Sequence, residues 1–267
     1  MSLSRAAAIA LRQFYLLRGS AARVLPLFAW VAIDIILWGF MTKYLNIVAS
    51  SRFNFVPTLL GAVLLWDFFG RVMFGVTTAF LEDVWSRNLL NFFATPITIP
   101  EYVAGLVVSS IATSSVGLLI MVVLAAGLFG LSFLSYGLAL LPFVLVLFLF
   151  GIAMGIVATA IVLRLGPAAE WFIWPMPAVI SPFVGVFYPL SVLPTWMQAV
   201  ARILPPSYVF ESVRGIVRGT GAWWPGLALS GILAFIYIVL AGFIFARVFR
   251  YAVRTGLIAR YSAESVS

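Results

Sequence analysis

Three ionisable side chains interrupt otherwise apolar runs of this sequence: Asp34, Asp67 and Arg71. A charge at mid-bilayer is costly, so it is usually paired or put to use. Asp67 and Arg71 are four residues apart, which sets them on one helix face. Asp34 lies 11 residues after Arg23 and Arg71 lies 11 before Glu82. At helical rise, each is roughly 16 Å from the same membrane boundary. Arg71 can therefore be shared between two carboxylates. Such a cluster either clamps one membrane helix to another, relays protons or contacts the substrate.

Other chemistries are excluded by residue type. The chain has no His and no Cys. Imidazole bases, thiol nucleophiles, disulfides and the usual soft metal sites are thereby removed. No G-x-S-x-G organises the serines, and no catalytic residue set is expected. A phosphate-cradling loop needs G-x-x-x-x-G-K-[ST], yet the single lysine, Lys43, stands between Thr42 and Tyr44.

What must position these residues follows from composition. Of 267 residues, 64% are apolar and 9% are charged, against roughly a quarter charged in a soluble domain. A bilayer span takes about 20 apolar residues. The chain is thus expected to be an all-α integral membrane protein with one transmembrane domain, residues 1–267, and six transmembrane helices. Residues 2–20 precede them, with Leu3, Ala7, Ala10, Leu11, Phe14 and Leu17 on one helical face and Arg5 and Arg12 opposite. That pattern predicts an interfacial helix. It lacks a signal-peptide cleavage pattern and is expected to be retained.

Charges and turn residues divide the rest. The first span runs from Val24 to Thr42 and the second from Phe53 to Leu81. Between Glu101 and Arg164 lie 62 uncharged residues, enough for two spans (about 103–129 and 136–163) with a turn at Gly130, Ser132, Ser135 and Gly137. Pro175, Pro177, Pro182, Pro189 and Pro194 crowd the next stretch and must break it. A fifth span is expected over 168–190, then an irregular re-entrant segment to about 220, then a sixth span over 226–246. Irregular backbone at membrane depth survives only against protein or a water-filled cavity. With both termini cytoplasmic, ten basic residues face inward and five outward, leaving Arg71 in a span, as the positive-inside rule favours. The arginines after the last span serve as anchors on that side and are able to meet anionic lipid. Trp85, Trp171, Trp196, Trp223 and Trp224 fall near the expected boundaries, while Trp30, Trp38, Trp66, Phe68 and Phe69 lie deeper on the first two spans and can face lipid.

Two stretches carry information beyond hydropathy. In 82–101, EDVWSRNLLNFFATPITIPE, Glu82 and Asp83 open the segment where a helix N-terminus favours negative charge. Leu89, Leu90, Phe92 and Phe93 then offer an apolar knob, and Pro96 and Pro100 stop helices. The second stretch, 187–216, carries Phe187, Pro189, Leu193, Pro194, Trp196, Pro205, Pro206, Tyr208, Arg214 and Gly215.

Together these resemble ABC-2 type permeases. The acidic opening, leucine pair and Thr95-Pro96 match the family's coupling helix. The aromatic-x-Pro, Leu-Pro-x-Trp, Pro-Pro-x-Tyr and Arg-Gly of 187–216 match its region after span five. One departure is that Ser86, Arg87, Asn88 and Leu89 replace a Gly-Thr-Leu-Glu common before the coupling leucines. The resemblance implies a bacterial inner-membrane exporter subunit without enzymatic activity of its own. Its partners would be a second permease copy, as a homodimer, and two ABC ATPase subunits holding ATP and Mg. Nucleic acid is not expected as a partner. Cargo would be a lipid-like, glycoconjugate or hydrophobic drug-like molecule, with re-entrant helices at 187–220 forming a gate. The competing expectation is an ion-coupled secondary transporter using Asp34 and Asp67.

Overall fold

The computed structural model describes residues 2–19, 21–48, 56–86 and 95–257. They build ten α-helices: α1 (Leu3–Arg18), α2 (Ala21–Val48), α3 (Gly61–Trp85), α4 (Ile99–Phe129) and α5 (Leu140–Leu165), then α6 (Glu170–Ile173), α7 (Met176–Val184), α8 (Thr195–Ile203), α9 (Pro205–Val217) and α10 (Trp224–Arg254). A π-helical turn, Val56–Leu60, leads into α3, and a 3-10 segment, Phe133–Ala139, leads into α5. No strand occurs among the described residues. Among the described residues, five stretches are long and apolar enough to cross a bilayer: Ala29–Val48, Val56–Trp85, Ile99–Phe129, Phe133–Leu165 and Trp224–Arg254. The chain is a multi-pass membrane protein.

Helix α3 is the hub. It packs on α4 and α5, and α5 packs in turn on α10. Lipid supplies no hydrophobic drive between helices, so close backbone approach at small residues must hold them. Gly151 and Gly155 of α5 provide it. A Cβ on Gly151 would stand 2.8 Å from the Val72 Cβ, and one on Gly155 would stand 2.8 Å from the Met73 carbonyl. Phe69 stacks on Phe150 across the same contact, with ring centroids 5.3 Å apart, and Trp66 stacks on Phe69 at 4.5 Å. Trp66, Phe68 and Phe69 are therefore core residues, not lipid-facing ones.

Contacts also give direction. Phe150 meets Tyr237 and Arg164 lies over Tyr251, so α5 and α10 run the same way. The C-terminal ends of α3, α5 and α10, the N-terminal end of α4 and all of α1 thus share one side, here the near side. On the far side, Phe40 and Lys43 of α2 meet Phe129 of α4, and Gly130 ends α4 in the left-handed region (φ 65°) at the expected turn.

Several boundaries differ from the sequence expectation. Pro100 begins a helix instead of stopping one: it sits in the first turn of α4, where its missing N–H costs nothing. Glu82 and Asp83 fall in the last turn of α3, not at a helix N-terminus, because α3 continues to Trp85. The last span is longer than 226–246, and its arginines at 247, 250 and 254 remain helical. Where a fifth span is expected, the chain forms α6 and α7. Trp174 and Pro175 between them keep right-handed helical angles (φ −56° and −78°), so the axis continues while the hydrogen bonding is interrupted at Pro175.

Candidate functional site

On the near side, α1 lies across the start of α4 and the end of α3. Ala6, Ile9 and Gln13 are its buried face, while Leu3, Ala7, Leu11, Phe14 and Tyr15 point away from the protein. Ile9 fits against Gly105 of α4, where a Cβ would come within 2.7 Å of its Cγ2. The apolar face read from the sequence is thus the outward one, suited to lipid, and the docking face is a separate small-residue strip.

Polar contacts tie α1 to both flanks of the α3–α4 connection. Arg12 donates to Asp83 at 2.5 Å, and the Tyr102 hydroxyl donates to the other carboxylate oxygen at 2.7 Å. Gln13 donates to the Ala79 carbonyl. At the opposite flank, Arg5 donates to the Pro96 carbonyl and lies 3.6 Å from Glu101. The Ser2 amide and the Thr98 amide donate to the two Glu101 oxygens at 2.5 and 2.9 Å. Thr98 and Glu101 form a reciprocal capping box.

Asp83 is fully buried by these partners. It was expected on a surface for another protein; its carboxylate instead holds α1. The reason is electrostatic. An acid in a helix's last turn faces the negative end of the dipole, and Arg12 offsets that. Glu82 is half-buried at the rim. Leu89, Leu90, Phe92 and Phe93 lie outside the described residues, whereas Pro96 is described and accepts from Arg5. Arg12 is read from the sequence only as the charged face of an interfacial helix and Glu101 only as a boundary, and Gln13 and Tyr102 carry no sequence expectation, although Thr98-x-x-Glu101 is a legible capping signal.

Mid-span, Asp34 of α2 lies within electrostatic range of Asp67 and Arg71 of α3. Arg71 interacts electrostatically with both carboxylates. Its stem crosses Gly117 of α4, where a Cβ would lie 3.3 Å from Cδ.

The far side gathers the proline-rich segment. Phe187 stacks on Trp38 of α2, with centroids 5.2 Å apart. Pro189 and Pro194 are extended and open a 3-10 turn and α8, while Pro205 and Pro206 begin α9. Tyr208 donates to the Arg202 carbonyl and its ring lies beside Trp223. Trp196 is exposed, and its ring meets that of Phe183 in a T-shaped contact. Arg214 is 5% exposed and holds the turn after α7: it donates to the Gly185 carbonyl at 2.6 Å and to Glu211 at 2.9 Å. Glu211, one of the charges of the irregular segment, accepts the Leu190 amide at 2.8 Å. Gly185 takes φ 69°, the left-handed angle that lets the chain reverse there.

A family model described as ABC-2 type transporter matches residues 20–217. No curated protein matches the chain.

Proposed function

Because the chain belongs to the ABC-2 type transporter family, whose members are membrane subunits of ABC transporters, we propose that it is one half of an ATP-driven exporter energised by a separate ATPase. The whole of 1–267 serves as a single transmembrane domain in a bacterial inner membrane, with the near side cytoplasmic. Two copies pair, each carrying an ATPase that holds ATP and Mg. The cargo is lipid-like, a glycoconjugate or a hydrophobic drug-like molecule.

The observation that carries this reading is the double attachment of α1 across the α3–α4 connection: Arg12 to Asp83 on one flank, Arg5 and Ser2 to Glu101 on the other. Force on 82–101 would move α1, α3 and α4 as one body, because both described flanks of the connection are held by α1. Through α3 that motion would reach α5 and α10, which pack in series behind it. The remaining crossing is residues 167–187. It starts beside Arg164 on the near side and ends where Phe187 meets Trp38 on the far side. Its 18 helical-angle residues to Val184 span about 27 Å, close to a hydrocarbon core. In this reading α8 and α9 are re-entrant and the 187–220 segment is the outer gate, hinged at Gly185.

Sharing of Arg71 by Asp34 and Asp67 supports a clamp between α2 and α3, and so favours the ATP-driven reading over an ion-coupled carrier. The test is co-purification. Alanine at Leu89, Leu90, Phe92 and Phe93 together should abolish recovery of the ATPase while the chain still inserts and remains folded. Undiminished recovery, or uphill transport by the isolated chain in liposomes under an ion gradient, would overturn the proposal.

A further inference from the structure

The C-terminal half of α10 carries a pattern that anchoring alone does not require. Arg247, Arg250 and Arg254 are exposed, and their spacing of three and four places them within about 60° of one another around the helix. Opposite them, Phe245, Phe249 and Ala252 are buried against the bundle. Continuing the same exposed stripe toward mid-membrane are Ile232, Ile236, Leu240 and Phe243. One face of one helix is thus apolar for three turns and then cationic for two.

A fourth guanidinium is brought alongside from α5. Arg164 lies over the Tyr251 ring, 4.5 Å from its centroid, an arrangement that fixes the side chain over α10 by cation–π attraction. Among the described residues, Arg247, Arg250 and Arg254 have no carboxylate partner; the polar contact of this trio is Arg250 Nε to the Ala246 carbonyl at 3.3 Å. The stripe therefore presents uncompensated positive charge at one end of an acyl-length apolar track.

We propose that this face of α10, completed by Arg164, binds an anionic phospholipid, with the phosphate on the arginines and an acyl chain along the apolar stripe. Charge complementarity argues for this occupant over a second copy of the chain, since a two-fold contact through the same face would set like charges against each other. The inference stands on the membrane-spanning fold and not on the identity of the ATPase. Anionic lipid is concentrated on the cytoplasmic leaflet, which matches the near side as read above.

The test uses the full-length chain in detergent micelles. Titration with phosphatidylglycerol and with phosphatidylcholine, followed by native mass spectrometry, should give at least about tenfold tighter retention of the anionic lipid, given the attraction each arginine near such a surface contributes. R247Q/R250Q/R254Q should abolish that preference. Independently of how the variant folds, a photoactivatable phosphatidylglycerol should cross-link to the peptide spanning 247–254. Equal retention of the two lipids by the unmodified chain would overturn the proposal, as would a preference that survives in a folded triple variant. Cross-links that avoid 247–254 would do the same, as would displacement of the lipid by millimolar inorganic phosphate, which reassigns the site to a soluble anion.

Discussion

Arg12 and Asp83, 71 residues apart in the chain, meet at 2.5 Å where α1 crosses the end of α3. Asp83 has no exposed surface, and its second oxygen is taken by Tyr102 of α4. Three helices therefore converge on one carboxylate beside the α3–α4 connection.

Removing one side of this pair strands the other. Arg12→Ala should destabilise the protein by about 3 kcal/mol, the low end of the cost of orphaning a buried charge. In an Asp83→Asn background the same change should cost less, with a coupling energy of about 1–3 kcal/mol. Thermal unfolding of the four variants in detergent measures it. Additive effects would mean that the two side chains are not coupled.

Gly105 is where α1 seats. A side chain there would collide with Ile9 Cβ and Cγ2, both within 2.7 Å of an added Cβ. Gly105→Leu should lift α1 off α4 and expose its backbone to protease, whereas Gly127→Ala on the same helix, where a Cβ meets nothing, should leave digestion unchanged.

On the far side, Arg214 spans two acceptors with one planar fork, the Gly185 carbonyl and the Glu211 carboxylate. Lysine is a point charge and does not reproduce the fork. Arg214→Lys should reduce transport about tenfold or more while ATPase recovery stays unchanged, because the lock lies away from the coupling side. Normal transport by this variant would show that the 185–190 turn needs no such lock.

Gly151 and Gly155 set the separation of α3 and α5. Leucine at Gly151 would overpack against Val72 and the Phe69 carbonyl and should cost at least about 1–3 kcal/mol. Lowered yield of folded protein and a lower melting temperature are the readouts. Unchanged stability would mean that the helices separate freely at this contact.

Much of this protein was legible before any coordinates. Membrane class, the long apolar helices, the turn at Gly130 and the break among the prolines all follow from local free energies: burying a charge, forgoing a backbone hydrogen bond, or taking a positive φ. The expectation that Asp34, Asp67 and Arg71 lie at a similar depth came from helical rise, which converts residue number into depth. Tertiary packing decided the rest. Nothing near Arg12 in the sequence points to Asp83, and nothing near Arg214 points to the Gly185 carbonyl. Such pairs are selected by which helix faces come together, and the small residues at Gly105, Gly151 and Gly155 control that through the distance of backbone approach. For the same reason Asp83, which sequence reading placed on an exposed surface, became the buried acceptor that joins three helices.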